Sequence, residues 1–202
     1  MSDSKPHSKL HSKTGSRPDT EPYNQPMSGN QMPRFAGPAS FFRLPVQETA
    51  VGLDVALIGM PVDIGTSNRS GARFGPREIR SESVLVRPYG MATRAAPFDS
   101  FQIADIGDVA VNPYNLLKTV DAIEAAIDEV MAAGAIPVSV GGDHTCTLPV
   151  LRAIAKVQGP VALVHIDAHA DINDEMFGEK IAHGTVFRRA IEEGLIQTDK
   201  MF

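Results

Sequence analysis

Beyond residue 34 the chain alternates short apolar runs with stretches of helical apolar spacing, and the alternation can be read element by element. Asp54-Val-Ala-Leu-Ile-Gly59 reads as a buried strand, followed by a long loop rich in Gly, Ser and Asn. Gly75-Pro76-Arg-Glu-Ile predicts a helix start, because a first-turn proline gives up an N–H that has no partner there. A second strand, Gln102-Ile-Ala-Asp-Ile106, leads to a turn at Gly107-Asp108. Asn115 is a predicted helix cap; Leu116, Val120, Ile123, Ile127 and Val130 then follow the i, i+3/i+4, i+7 rule, with Gly134 as terminator. A third strand, Ile136-Pro-Val-Ser-Val140, runs into Gly141-Gly142-Asp143-His144, and a helix is expected from about Thr147 to Val157. A fourth strand, Val161 to Ile166, runs into the polar stretch HIDAHADIND (165–174). A last helix is predicted from about Thr185 to Glu193. Strands alternating with helices specify an α/β fold with a mostly parallel sheet, and no internal repeat or second domain is evident.

The polar N-terminal stretch changes the picture at one end. Residues 1–34 are rich in Ser, Pro, Asn, Gln, Lys and Thr and nearly empty of aliphatic residues. Such a segment cannot bury enough surface to offset its ordering entropy, so 1–34 is expected to be a disordered tail, with His7 and His11 solvated, and 35–202 to be the folded domain. A chain of 202 residues with 43% hydrophobic and 21% charged residues can build one substantial core. A net charge of -5 without any run of Lys or Arg gives no reason to expect a nucleic-acid partner. The single cysteine, Cys146, excludes an internal disulfide framework and fits a reducing compartment. No apolar run approaches the roughly 20 residues of a membrane span, and no secretory hydrophobic segment opens the chain. No membrane partner and a cytoplasmic location are expected.

The stretch 165–174 gathers Asp167, Asp171, Asp174, His165 and His169 directly after an apolar run. Clustered carboxylates at the end of a buried strand repel one another and resist desolvation, so something must compensate them. Asp167, His169 and Asp171 stand at i, i+2, i+4; if the strand runs on through them, all three side chains project to one side. Carboxylate oxygens and a neutral imidazole suit a divalent cation such as manganese, zinc or cobalt. His144, at the end of the preceding strand, adds a nitrogen, and ligands in open α/β sheets bind beyond the carboxyl ends of strands. A carboxylate can bridge two cations about 3.5–4 Å apart, and such a pair lowers the pKa of a bridging water toward neutrality. Around this core Asp143 is expected to hold the Gly-Gly turn or the His144 ring, and His165 to be a hydrogen-bonded core histidine. Cys146 reads as packing, Asp105 and Asp108 as turn and cap residues, Lys180 as a solvated charge.

GGDHT (141–145), DAHAD (167–171) and HGTVFRRAIEEG (183–194) together resemble the ureohydrolase family of arginases, agmatinases and guanidinobutyrases. IGMPVDIGTSNRSGARFGPREIR (58–80) looks like the agmatinase branch in particular. The resemblance covers nearly everything from about Phe42 onward. It implies a three-layer α/β/α fold of the arginase type and two manganese ions, with His144, Asp167, His169 and Asp171 as metal ligands and Asp167 in the bridging place. His183, which by itself reads only as a helix N-terminal residue, matches the family's proton shuttle. Asn173 lies where arginases use an asparagine toward the substrate, and the loop 61–74, with Asn68 and Arg69, is a candidate pocket wall. The implied reaction is hydrolysis of a guanidinium group to urea and an amine, agmatine to putrescine in the first reading and 4-guanidinobutyrate to 4-aminobutyrate in the alternative. Homo-oligomers, trimers or hexamers, are also implied.

The family carries a downstream S-x-D-x-D-x-x-D-P segment with two more carboxylate ligands, and a later glutamate that holds the guanidinium; neither occurs in these 202 residues. By that resemblance the chain is the N-terminal two-thirds of the domain, incomplete at the C-terminus. One metal then keeps His144, Asp167 and Asp171, the other only Asp167 and His169, so the chain is expected to be inactive or weak alone, with an unpaired sheet edge. A non-catalytic subunit or fragment is the reading from a different class. Dinuclear metallophosphoesterases also begin with Asp-x-His at a strand end, but they need a later Asn-His-Asp/Glu motif that is absent from the sequence.

Overall fold

In the computed structural model residues 22–202 are described, and they form five strands and four α-helices joined by short 3-10 turns. In chain order these are β1 (Val55–Met60), α1 (Gly75–Glu82), β2 (Ile103–Asp108), α2 (Leu116–Ala132), β3 (Ile136–Gly141), α3 (Thr147–Gln158), β4 (Val161–Leu163), α4 (Val186–Glu192) and β5 (Ile196–Met201). Every strand pair is parallel, but the expected single sheet is divided into a three-stranded sheet of order β2-β1-β3 and a separate β4-β5 pair. The strand that ends in GGDH is therefore not hydrogen-bonded to the strand that ends in DAHAD. Among the described residues the outer edge of β3 has no partner strand, and Ile136 and Val138 stand exposed along it.

β1 is central because its side chains feed cores on both faces. Ile58 and Met60 pack with Val62, Ile123, Ile127 and Ala153 under α2 and α3, whereas Leu57 points the other way among Phe41, Leu44, Phe98 and Ile103. Period-2 alternation on a strand buried on both sides yields the continuous apolar run seen in the sequence. The α2 stripe behaves as its spacing requires: Val120, Ile123, Ile127 and Val130 are all buried. Asn115 caps the helix by accepting the Lys118 N–H at 3.0 Å, and Gly134 ends it with a left-handed φ of 78°.

Two elements differ from expectation. β5, beyond the last element read from the sequence, pairs with β4; of its residues only Ile196 is buried, too little for an alternating signal. Residues 22–34, assigned by composition to the tail, lie against the domain instead. Asn24 Nδ2 donates to Ile103 O at 2.9 Å, Gln25 Nε2 to Phe98 O at 2.7 Å, and Arg43 reaches back to Met32 O at 2.8 Å. Backbone and side-chain hydrogen bonds do here what apolar burial does elsewhere. Residues 1–21, with His7 and His11, lie outside the described residues.

Asp105 holds the turn as expected, accepting the Gly107 N–H at 2.9 Å, but it and Asp108 also do more. Arg80 of α1 donates to both oxygens of Asp105, at 2.7 and 2.9 Å, to Asp108 at 2.6 Å and to Gly107 O at 3.0 Å. Its guanidinium carbon sits 4.1 Å from the Phe41 ring centroid, and Asp105 is 1% exposed. This buried cluster clamps α1 to the carboxyl end of β2. No helix among the described residues is long and apolar enough to cross a membrane.

Candidate metal centre

The GGDH turn is stitched to the segment leaving β1. Gly142 N–H donates to Met60 O at 3.2 Å and Asp143 N–H to Val62 O at 2.8 Å. The buried Asp143 carboxylate then serves two chains at once, accepting Thr145 N–H at 2.8 Å and Gly65 N–H at 2.9 Å. Of the two roles expected for Asp143, the structure places it in the first, holding the turn. His144 follows in the first turn leading to α3, its ring set edge-on against Phe187 with centroids 5.4 Å apart.

DAHAD meets His144 by a route other than strand alternation. β4 ends at Leu163, and the Asp167 side chain bends the backbone by accepting the His169 N–H at 2.9 Å. An aspartate that bonds the backbone two residues on competes with strand extension, which is why the side chains converge through a turn. Asp171 sits in the left-handed region, at a φ of 51°, with its carbonyl accepting the Phe187 N–H. A non-glycine residue there is strained, and aspartate, like asparagine, is among the few that tolerate it. The outcome is a tight cluster: His144 Nδ1 lies 2.6 Å from Asp171 Oδ2 and 3.4 Å from Asp167 Oδ2. The His169 N–H, and then the nearby His144 and His165 rings, hold the Asp167 carboxyl below the usual carboxylate range against the opposing effect of desolvation. His169 is brought beside Asp167, its Nδ1 at 3.5 Å from Oδ1, but 81% of its side chain stays in solvent.

A cavity of about 280 Å³ opens over this cluster, lined by His144, Asp167, His169, Asp171 and His183 and walled by the loop residues Ser67, Asn68 and Arg69. The side chain of Asn173 does not line it; its nitrogen lies beside Gly184. His183 Nε2 is 3.0 Å from Ser67 Oγ, and its N–H donates to Gly65 O at 3.2 Å. The loop is clasped at its base by Asp63, 4% exposed, which accepts Gly71 N–H and Arg73 Nε–H at 2.6 Å each. Asp63 and Ser67 were not singled out in the sequence, because one aspartate and one serine in a polar loop carry no spacing signal. Lys180 is not solvated alone but pairs with Asp174 at 2.6 Å, and Lys180 together with Arg189 pulls the Asp174 carboxyl down to about 2.

These residues fit a divalent cation. They present imidazole nitrogens and carboxylate oxygens at short range, and ligand atoms of His144, His165 and Asp167 all lie within 4.8 Å of one another. His165 is not the hydrogen-bonded core histidine expected, since its buried Nε2 has no hydrogen-bond partner.

A family profile described as Arginase family matches residues 53–202. A guanidinobutyrase from Pseudomonas aeruginosa is 62% identical over 181 residues, 88% of this chain and 57% of the relative. A mitochondrial agmatinase from Gallus gallus is 51% identical over 179 residues, 89% of this chain and 53% of the relative. The solved structure of proclavaminate amidino hydrolase from Streptomyces clavuligerus superposes with a TM-score of 0.81 at 41% identity, covering 84% of this chain and 56% of that one. The chain thus spans about half the length of the curated relatives it matches.

Proposed function

This chain belongs to the arginase family, and on that premise we propose that the protein hydrolyses a guanidino acid, 4-guanidinobutyrate first, to urea and the corresponding amine, using divalent cations at the His144–Asp167–Asp171 cluster. The observation that carries the reading is the convergence of the GGDH and DAHAD segments on one cavity although their strands are not paired. Agmatine, placed first by the resemblance, yields to the guanidino acid on the strength of 62% against 51% identity.

His144, Asp167, His169 and Asp171 are the residues that would hold the cations, with manganese as the expected metal. When bound, such ions supply Lewis acidity and a water deprotonated near neutral pH. The remaining roles belong to side chains of the cavity. His183, steadied by Ser67 on the clasped loop, is placed to carry a proton to the leaving amine, and a positioned imidazole is suited to that at neutral pH. Asn68 lies on the wall against which the aliphatic chain of the substrate would lie.

Urea release measured in parallel on 4-guanidinobutyrate, agmatine and arginine with added manganese tests the reading. The ranking of the three rates is the readout, with 4-guanidinobutyrate expected to be fastest. Agmatine ranked first would overturn the substrate assignment, and no urea from any of them would overturn hydrolysis by this chain.

A further inference from the structure

We propose that Arg69 holds the substrate's carboxylate and so selects guanidino acids over guanidino amines; this rests on reading the cavity as the site of guanidino hydrolysis. Asp143, Asp167 and Asp171 give the cavity lining its carboxylates, and Arg69 is the one permanently charged cation among the lining residues. Its side chain is exposed, and among the described residues its guanidinium takes part in no hydrogen bond or ion pair. Arg73, the next arginine along the loop, is engaged by Asp63, and Arg80, Arg152, Arg188 and Arg189 are all paired as well. The backbone that carries Arg69 is nevertheless held on both sides. Two residues before it, Ser67 Oγ lies 3.0 Å from His183 Nε2; two residues after it, Gly71 N–H donates to Asp63 at 2.6 Å. Thr66 Oγ1–H adds a bond to Asp63 O at 2.9 Å. An ordered loop that presents an unengaged guanidinium on a cavity wall is preorganised for an anion, since little further ordering is needed on binding.

The chemistry of the two substrate classes differs only at the end remote from the guanidinium. A guanidino acid ends in a carboxylate, which an arginine meets with two parallel charge-assisted N–H···O bonds. Agmatine ends in an ammonium, which would face the Arg69 cation without a partner. Like charges brought together in a partly enclosed cavity cost more than they do in open water. One residue can therefore favour the acid and disfavour the amine while the metal-binding side chains treat both alike. Lys180 is no substitute for it, because Asp174 holds its ammonium at 2.6 Å and it does not line the cavity.

Calorimetry on the 202-residue chain in manganese-containing buffer tests this, with 4-guanidinobutyrate, agmatine and butylguanidine, whose tail is uncharged, as the ligands. Wild type is expected to bind 4-guanidinobutyrate about tenfold more tightly than butylguanidine, with agmatine weakest. Arg69→Gln is expected to lose that tenfold for 4-guanidinobutyrate alone, with butylguanidine affinity, manganese uptake and the circular dichroism spectrum unchanged. Arg69→Glu is expected to put agmatine first. Arg69→Ala serves as the second variant should the glutamine fail to fold. A preference for 4-guanidinobutyrate that survives in Arg69→Gln would overturn the proposal and leave the guanidino-acid reading standing. An equal loss for all three ligands would do the same, because Arg69 would then only support the loop. Wild type that binds agmatine or butylguanidine as tightly as 4-guanidinobutyrate, or binds none of the three, would overturn the substrate class together with the role of Arg69.

Discussion

Gly142 leaves no room for a side chain: a Cβ at that position would lie 2.5 Å from the carbonyl oxygens of Met60 and Val62. Both are rigid backbone at the exit of β1, so Gly142→Ala is expected to push the GGDH turn away from its seat and carry His144 with it. Manganese uptake by calorimetry should fall below detection while the helical signal persists; full uptake would show that the turn can shift without cost to the centre. Cys146 supports a different expectation. It is 6% exposed, and burial, followed by the nearby Asp143 charge, pushes its thiol up to about 12. Almost no thiolate exists at neutral pH, so Ellman's reagent should label the chain only after denaturation. At this scale the sequence was informative where residue types recur at short spacing, as in His144 and DAHAD. It was silent on Asp63 and Ser67, whose partners lie far away along the chain.

The Arg80 clamp is the clearest case of an element held by chemistry rather than by apolar burial. With Asp105 1% exposed, removing the cation leaves a buried carboxylate without a counter-charge, held only by the Phe41 and Gly107 N–H groups. Arg80→Ala is expected to cost about 3–5 kcal/mol in denaturant unfolding. A loss of under about 1 kcal/mol would mean that water or another donor reaches Asp105. The α2 cap offers a smaller, local test: Asn115→Ala should cost about 1 kcal/mol by the same assay. Elements with strong periodicity and distinct caps, β1 and α2 above all, were legible in advance. β5 was not, because Gln197, Thr198, Asp199 and Lys200 offer no apolar face, and the strand is set by the pairing of Ile196 with Val161 and of Met201 with Leu163 across a register shift. Residues 22–34 misled in the opposite direction, since composition measures burial and their order comes from specific backbone and side-chain bonds.

Across the whole molecule, paired carboxylates set the response to acid. The Arg73 hydrogen bond lowers the Asp63 pKa, and Lys180 with Arg189 lowers that of Asp174 to about 2. A carboxyl whose folded pKa lies below its unfolded value contributes stability that is complete above the unfolded pKa, about 3.9, and disappears as pH falls through the folded one. Urea midpoints should therefore be nearly level above about pH 5 and fall from about pH 4 downward. Asp174→Asn should flatten part of that fall. Manganese should raise the melting temperature in a concentration-dependent way, because a ligand that binds only the folded chain stabilises it by mass action.

The amino-acid sequence by itself determined the α/β alternation, the strand and helix nearest the centre of the core, and the residue types gathered at the proposed metal centre, because local periodicity and residue chemistry are written in neighbouring positions. Tertiary structure alone decided that the strands form two sheets and that DAHAD reaches His144 through a turn. Those facts depend on which backbone groups and side chains far apart along the chain satisfy one another, and short-range pattern carries no record of that.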